Sequence, residues 1–140
     1  MIVYLDTSSL VKLYVEEDES SKVYALVKFS EVTATSLVAY AEARAAFARR
    51  FREKAFTLEE HNRIKKFFIK DWSSYLVLSV TENTIRLAGD LAEKHALRGF
   101  DSIHLASALT LRQALSSSIV FSCFDDKLQK ASERENLDQS

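Results

Sequence analysis

The possible folds of this chain are limited most strongly by a regular alternation of short apolar runs with longer helical patterns. Four runs have the length and the apolar, often β-branched character of strands, at residues 2–5, 32–35, 75–80 and 119–122. Strands that alternate with helices predict a parallel sheet with helices on both faces. We therefore expect an α/β fold with three layers, α/β/α, in a single domain over residues 1–140.

The predicted helices have recognisable starts and lengths. Residues 37–53 are rich in Ala and Arg and have high helix propensity. Residues 100–115 are apolar almost all round, as in a buried helix. Thr57 and Glu60 have the spacing of a capping box at a helix start. Further helices are expected shortly after Asp6, from Ser20 or Ser21, from Thr81 or Asn83 to a stop near Gly99, and from Asp126 onward.

Composition excludes several classes of site. The one cysteine, Cys123, excludes an internal disulfide and a multi-cysteine metal site. The glycine-rich phosphate loops GxGxxG and GxxxxGK[ST] are absent. The net charge of −1 gives no indication for or against a nucleic-acid partner, so any attraction to phosphate must come from a local patch or a bound metal. With no membrane-length apolar run and no signal-peptide pattern, we expect a cytoplasmic protein without a membrane partner.

Four carboxylates stand out by their position relative to the predicted elements. Asp6 follows the first strand and Asp125 follows the fourth, so both are expected at the carboxyl edge of the sheet, where α/β proteins bind ligands. Asp101 begins the apolar helix, and Glu42 lies among alanines in the long helix. Each residue alone has an ordinary explanation, because aspartates often cap helices and a helical glutamate is usually solvated.

Taken together, the four acids predict a metal site suited to phosphodiester chemistry. Mg²⁺ and Mn²⁺ prefer hard oxygen ligands such as carboxylates and water. No cluster of His and Cys residues offers a competing zinc site. The set of four acids in this order is stronger evidence for a metal site than any one acid alone.

Four segments resemble the motifs of PIN domains, and specifically those of the VapC-like toxin ribonucleases. They are DTSSLVKLY at residues 6–14, SLVAYAEAR at residues 36–44, LRGFDSIHLASA at residues 97–108 and FSCFDDKL at residues 121–128. Their order and spacing are similar to those of the family, and they span nearly the whole chain. The chain has Cys123 where the family often has Thr, and its end predicts a fifth strand that is short or absent.

The resemblance implies a PIN-like fold with a four- or five-stranded parallel sheet, and RNA cleavage with Mg²⁺ or Mn²⁺ as the cofactor. It implies that Asp6, Asp101 and Asp125 are direct or water-mediated metal ligands, and that Glu42 holds a water on the metal or a second ion. Ser8 would orient Asp6 or such a water, or would cap the following helix. The implied partners are an RNA substrate, a small antitoxin and a second copy of the chain in a homodimer.

Two residues near these acids have alternative interpretations. Arg49 lies two turns after Glu42 on the same helix face, where it would contact RNA phosphates or belong to a solvated, salt-bridged surface. His104 lies one turn after Asp101, and we expect it to be buried and hydrogen-bonded rather than catalytic.

The first helices and the long helix carry more apolar residues than one sheet-facing stripe requires. These residues are Leu10, Leu13, Tyr14, Val15, Tyr40, Phe47 and Phe51. We expect a groove between these helices that accepts an amphipathic antitoxin helix, the alternative being that all seven belong to the core. Phe67 and Phe68 are expected in the core.

Two other functions are compatible with parts of the pattern. One is a catalytically inactive PIN-fold module that binds RNA or protein, which the presence of acids at all four positions disfavours. The other is a phosphoryl-transfer protein of receiver or phosphatase type, which also has an Asp after the first strand. Such proteins usually have a second acid there or a lysine after a late strand, and Asp6-Thr7-Ser8 offers no second acid.

Overall fold

The computed structural model describes residues 1–140 and contains five strands and seven helices. The strands are β1 (Ile2–Leu5), β2 (Val32–Ser36), β3 (Leu76–Leu78), β4 (Ile119–Ser122) and β5 (Asp138–Gln139). The helices are α1 (Thr7–Val11), α2 (Ser20–Lys28), α3 (Val38–Arg52), α4 (Leu58–Trp72), α5 (Glu82–His95), α6 (Gly99–Leu115) and α7 (Asp126–Arg134). No helix is both long enough and apolar enough to span a membrane.

All five strands form one parallel sheet in the order β3-β2-β1-β4-β5. The central strand β1 pairs with β2 on one side and with β4 on the other. Strand order therefore reverses between β1 and β4. Ligand sites in open α/β sheets form in the crevice at such a point, beyond the carboxyl ends of the strands.

Alternation along β1 divides the core into two layers, one on each face of the sheet. Val3 and Leu5 belong to a cluster with the apolar faces of α1, α2, α3 and α4. Tyr4, which points to the opposite face, belongs to a second cluster with α5, α6 and α7. This arrangement confirms the predicted three-layer α/β/α fold.

The sequence predicted β1 and β4 with their observed bounds and the Thr57–Glu60 capping box, which is present at the start of α4. Gly99 does not end a helix as expected, because α5 stops at His95 and Ala96 takes the left-handed conformation after it. Gly99 instead begins α6. A fifth strand is present, but it comprises only two residues, Asp138–Gln139.

One expectation about the core and one about the groove were wrong in part. Phe68 is fully buried, but its neighbour Phe67 is 51% exposed. Successive helical residues differ by about 100° in direction, so only one of two adjacent aromatics can face the sheet. Among the residues expected to line a groove, Leu10 and Phe47 are wholly buried in the core.

Candidate active site

A cavity of about 330 Å³ lies at the carboxyl edge of the sheet, where the strand order reverses. Its lining includes all six residues that the sequence predicted for the site: Asp6, Ser8, Glu42, Arg49, Asp101 and Asp125. These residues come from four different helices or their caps, and they are separated by up to 119 positions along the chain. The fold therefore brings together acids that are distant in sequence.

Asp6 is held rigidly at the junction of β1 and α1. It is the N-cap of α1, where its Oδ1 accepts hydrogen bonds from the backbone N–H of Ser9 at 2.9 Å and from the Ser8 hydroxyl at 2.7 Å. Its exposed fraction is only 4%. Burial raises the pKa of Asp6 above its usual value, although the neighbouring His104 and the two hydrogen bonds partly oppose that shift. The ionised form of Asp6 would therefore gain from a nearby cation.

Ser8 orients Asp6, as one of its two predicted roles requires, and it does not cap α1. The alternative role predicted for Ser8, capping of α1, is not observed, because the extended backbone conformation of an N-cap falls on Asp6 itself.

Asp101 and Asp125 share one arginine. Arg98 donates to Asp101 Oδ2 from Nε at 3.2 Å and from Nη2 at 3.0 Å. The same Nη2 lies 3.5 Å from Asp125 Oδ2. The side chain of Arg98 is 79% exposed, so this bridge lies at the mouth of the cavity. The bond to Asp101 and the two negative charges raise the pKa of the Arg98 guanidinium still further.

Glu42 is anchored through one carboxylate oxygen. Its Oε1 accepts a hydrogen bond from the Thr7 hydroxyl at 2.6 Å and lies 3.0 Å from His104 Nε2. Burial alone would raise the pKa of Glu42, but the hydrogen bonds from His104 and Thr7 outweigh it and the pKa lies below its usual value. Glu42 is therefore ionised at neutral pH, and it differs from the solvated glutamate that its helical position would ordinarily suggest.

Basic residues surround the acids. Arg49, Arg50 and Arg98 all line the cavity. Arg49 is 71% exposed, whereas Arg50 is tied to Glu17 by a close ion pair. Glu17 also binds Lys12 at 3.1 Å. A positively charged rim around an acidic centre suits a ligand that carries phosphates along an extended backbone.

The donor set of the cavity fits a hard divalent cation such as Mg²⁺ or Mn²⁺. All four acids offer carboxylate oxygens, and Ser8 and Thr7 add hydroxyls, while no cysteine lines the cavity. No group of three or more His, Cys, Asp or Glu side chains is already drawn together as ligands of one ion. In this structure the Arg98 guanidinium is the cation that Asp101 and Asp125 share.

Among the residues that contact the four predicted acids, the sequence did not single out Thr7 and Arg98. Both are adjacent to a predicted acid: Thr7 follows Asp6, and Arg98 precedes Asp101 by one helical turn. This closeness in sequence to a predicted acid could have identified both residues. His104 was predicted to be buried and hydrogen-bonded, and it is, with an exposed fraction of 1%.

Comparison with known proteins finds one matching family and similar proteins. The profile of the family described as "PIN domain" matches residues 3–134. The protein named Ribonuclease VapC45 from Mycobacterium tuberculosis is 37% identical over 110 residues, which cover 79% of this chain and 76% of that protein.

Two solved structures are similar in fold. FitAcB from Neisseria gonorrhoeae has a TM-score of 0.65 at 15% identity and covers 99% of this chain and 96% of its own. A toxin-antitoxin complex from Klebsiella pneumoniae has a TM-score of 0.56 at 18% identity and covers 84% of this chain and 83% of its own. At these identities the two structures support the fold alone.

Proposed function

Because this chain belongs to the PIN domain family, we propose that it is a metal-dependent endoribonuclease and the toxin of a toxin–antitoxin pair. The observation that carries the proposal is the convergence of Asp6, Glu42, Asp101 and Asp125 on one cavity rimmed by arginines. The name of the M. tuberculosis relative, a ribonuclease, supports the same reaction class.

In this proposal the four acids have different roles, which follow from their geometry. Asp6, Asp101 and Asp125 would hold Mg²⁺ or Mn²⁺, whose chemistry is to activate water and to neutralise charge on the scissile phosphodiester. Glu42 would hold the attacking water through Oε2, since its Oε1 is already engaged by Thr7 and His104. Ser8 would keep Asp6 in position through its 2.7 Å hydrogen bond.

The arginines of the rim would bind the RNA backbone. Arg49 is the best placed of them, because its long side chain is exposed and its link to Glu53, at 3.9 Å, is weak. Such phosphate contacts position a nucleic acid without reading its sequence. The proposed substrate class is therefore RNA held by its backbone across the cavity.

The proposed function is tested by RNA cleavage with Mg²⁺, with Mn²⁺ and with a chelator. We expect cleavage only with metal, and we expect Asp101→Asn and Glu42→Gln to abolish it in folded protein. Asp126→Asn is the matched control, because Asp126 is an exposed acid beside Asp125 that does not line the cavity. RNA binding without cleavage by the wild type would instead support an inactive binding module.

The antitoxin would bind at a second surface. A groove of about 500 Å³ lies between the segment that follows α1, the end of α3 and helix α4. Its apolar lining includes Leu13, Tyr14, Phe56, Ile64 and Phe67. The complex from K. pneumoniae is described as toxin-antitoxin, which supports a partner of this kind. An amphipathic helix with anchors three to four residues apart would fit such a groove.

We also propose that the chain forms a homodimer. Large apolar side chains that no helix of the chain covers, such as Phe100 at 55% exposed, leave surface for a second copy. Light scattering of the purified protein decides this, since a monomer at micromolar concentration would contradict it.

A further inference from the structure

His104 joins four elements of the fold beneath the active site. It lies on α6, one turn after Asp101, and its ring is almost completely buried. Its Nδ1 is 2.8 Å from the hydroxyl of Tyr4 on β1. Its Nε2 is 3.1 Å from Thr7 Oγ1 on α1 and 3.0 Å from Glu42 Oε1 on α3.

The hydrogen bonds determine which ring nitrogen carries a proton. The Thr7 hydroxyl has one hydrogen, and it donates that hydrogen to the Glu42 carboxylate. Thr7 Oγ1 can therefore only accept from His104, so Nε2 must carry a hydrogen. That N–H is shared between Thr7 Oγ1 and Glu42 Oε1. Tyr4 can then donate its hydroxyl hydrogen to Nδ1 of the neutral ring.

This network treats the two oxygens of Glu42 differently. Oε1 receives the Thr7 hydroxyl and the His104 N–H, whereas Oε2 makes no hydrogen bond within the protein. The Glu42 side chain is 26% exposed and lines the cavity. A long, flexible carboxylate is thus fixed by one oxygen while the other stays available.

We propose that His104 is a positioning residue that, together with Thr7 and backed by Tyr4, holds Glu42 in the orientation required for metal and water binding. The inference rests on the proposed function, because it assigns His104 a role toward the ligand set described above. Groups that orient metal ligands from behind commonly change metal affinity about 10–100-fold when they are removed. Fixing Glu42 before metal arrives removes the entropy cost of ordering its side chain at that moment.

Two amide substitutions separate positioning from packing. In His104→Gln the side-chain NH₂ reaches the place of Nε2 and can still donate to Glu42. In His104→Asn the shorter side chain puts its amide near Nδ1, where it meets Tyr4 but not Glu42. Both replacements are neutral, polar and smaller than His, but Asn is one methylene shorter than Gln and leaves more empty space in the core.

The experiment measures Mn²⁺ binding by titration calorimetry, thermal stability, and kcat and KM for RNA. We expect His104→Asn to weaken Mn²⁺ binding about 10–100-fold and to lower kcat with little change in KM. His104→Gln should be closer to wild type in Mn²⁺ affinity and in kcat. The thermal stability of the two variants measures separately how much packing each one loses. If the two variants lose metal affinity equally, or neither loses any, the positioning role is wrong.

A second pair of variants keeps the test decisive should His104→Asn fail to fold. Thr7→Val removes the other donor to Glu42 Oε1 with little change in shape, and Thr7→Ser restores it. Weaker Mn²⁺ binding in the Val variant with recovery in the Ser variant supports the proposal, and equal binding in both overturns it. Wild-type protein that neither binds Mn²⁺ nor cleaves RNA would overturn the proposed function itself, and this inference with it.

Discussion

Asp6 and Asp125 each cap the helix that follows one of two hydrogen-bonded strands. Asp6 follows β1 and accepts from the backbone N–H of Ser9, and Asp125 follows β4 and accepts from the backbone N–H of Leu128. In both residues the capping oxygen is Oδ1, which leaves Oδ2 free of the helix. Capping and metal binding are therefore compatible roles, because a carboxylate has two oxygens to divide between them.

Because one oxygen of Asp125 caps the helix and the other is available for metal, substitutions at Asp125 should affect stability and activity separately. Asp125→Asn keeps a carbonyl oxygen for the cap but removes the charge, so it should retain thermal stability and lose metal-dependent cleavage. Asp125→Ala removes both, and should in addition lower the free energy of unfolding by about 1 kcal/mol. Thermal melts and RNA cleavage assays on the two variants provide the measurement. Equal destabilisation by Asn and Ala would show that the cap is unimportant.

The buried position of Asp6 predicts a pH-dependent gain in stability when it is neutralised. Its pKa is raised in the folded state, so stability falls as pH rises from the unfolded value of about 3.9 through the folded value. Asp6→Asn should therefore melt higher than metal-free wild type at pH 7, where a gain of 1 kcal/mol is roughly 3–4 °C. The difference should vanish below about pH 4, where Asp6 is protonated in both states.

Metal provides the control for this prediction. Mn²⁺ should raise the melting temperature of the wild type by mass action and that of Asp6→Asn much less. An Asp6→Asn variant that melts below the wild type at pH 7, or that responds equally to Mn²⁺, would contradict the assignment of Asp6.

The bridge from Arg98 to Asp101 and Asp125 predicts that substituting Arg98 strengthens metal binding and weakens RNA binding. Arg98→Gln removes a positive charge that lies 3.0 Å from Asp101 Oδ2, so Mn²⁺ should bind a few-fold more tightly. The same change should raise KM for RNA, because a rim arginine is lost. Arg86→Gln is the matched control, since Arg86 is similarly exposed and pairs with Glu82 on α5. Calorimetry and steady-state kinetics measure both effects, and weaker Mn²⁺ binding in Arg98→Gln would refute the prediction.

The residues that line the apolar groove agree only in part with those chosen from the sequence, because Tyr14 lines it and Phe47 does not. Phe47→Glu would place a charge in the core, so we expect it to unfold the protein rather than to report on a partner. Phe67→Glu should instead leave the fold intact and weaken co-purification with the antitoxin. Phe29→Glu is the control, because Phe29 is 73% exposed and lies outside the groove. Equal retention of the partner by the Phe67 and Phe29 variants would count against this surface.

The sequence was informative where local chemistry decides the structure. The strand β1, the capping box at Thr57 and the acids after β1 and β4 all follow from short-range patterns. The stop of α5 did not, because Ala96 adopts a left-handed conformation that usually favours glycine. The network of His104 was equally hidden, since its partner Tyr4 lies 100 positions away and only the folded sheet brings them together.

The two layers of the core have a consequence for how activity arises during folding. Asp6 and Glu42 belong to elements that pack on one face of the sheet, and Asp101 and Asp125 come from helices on the other. A growing chain carries the first pair long before the second has been synthesised. Contacts between the two layers join residues that are far apart in sequence, such as Glu42 and His104, which are separated by 62 positions. These contacts form only when both layers have docked. We therefore expect partly folded chains to lack the proposed nuclease activity, which would arise only as the native structure is completed.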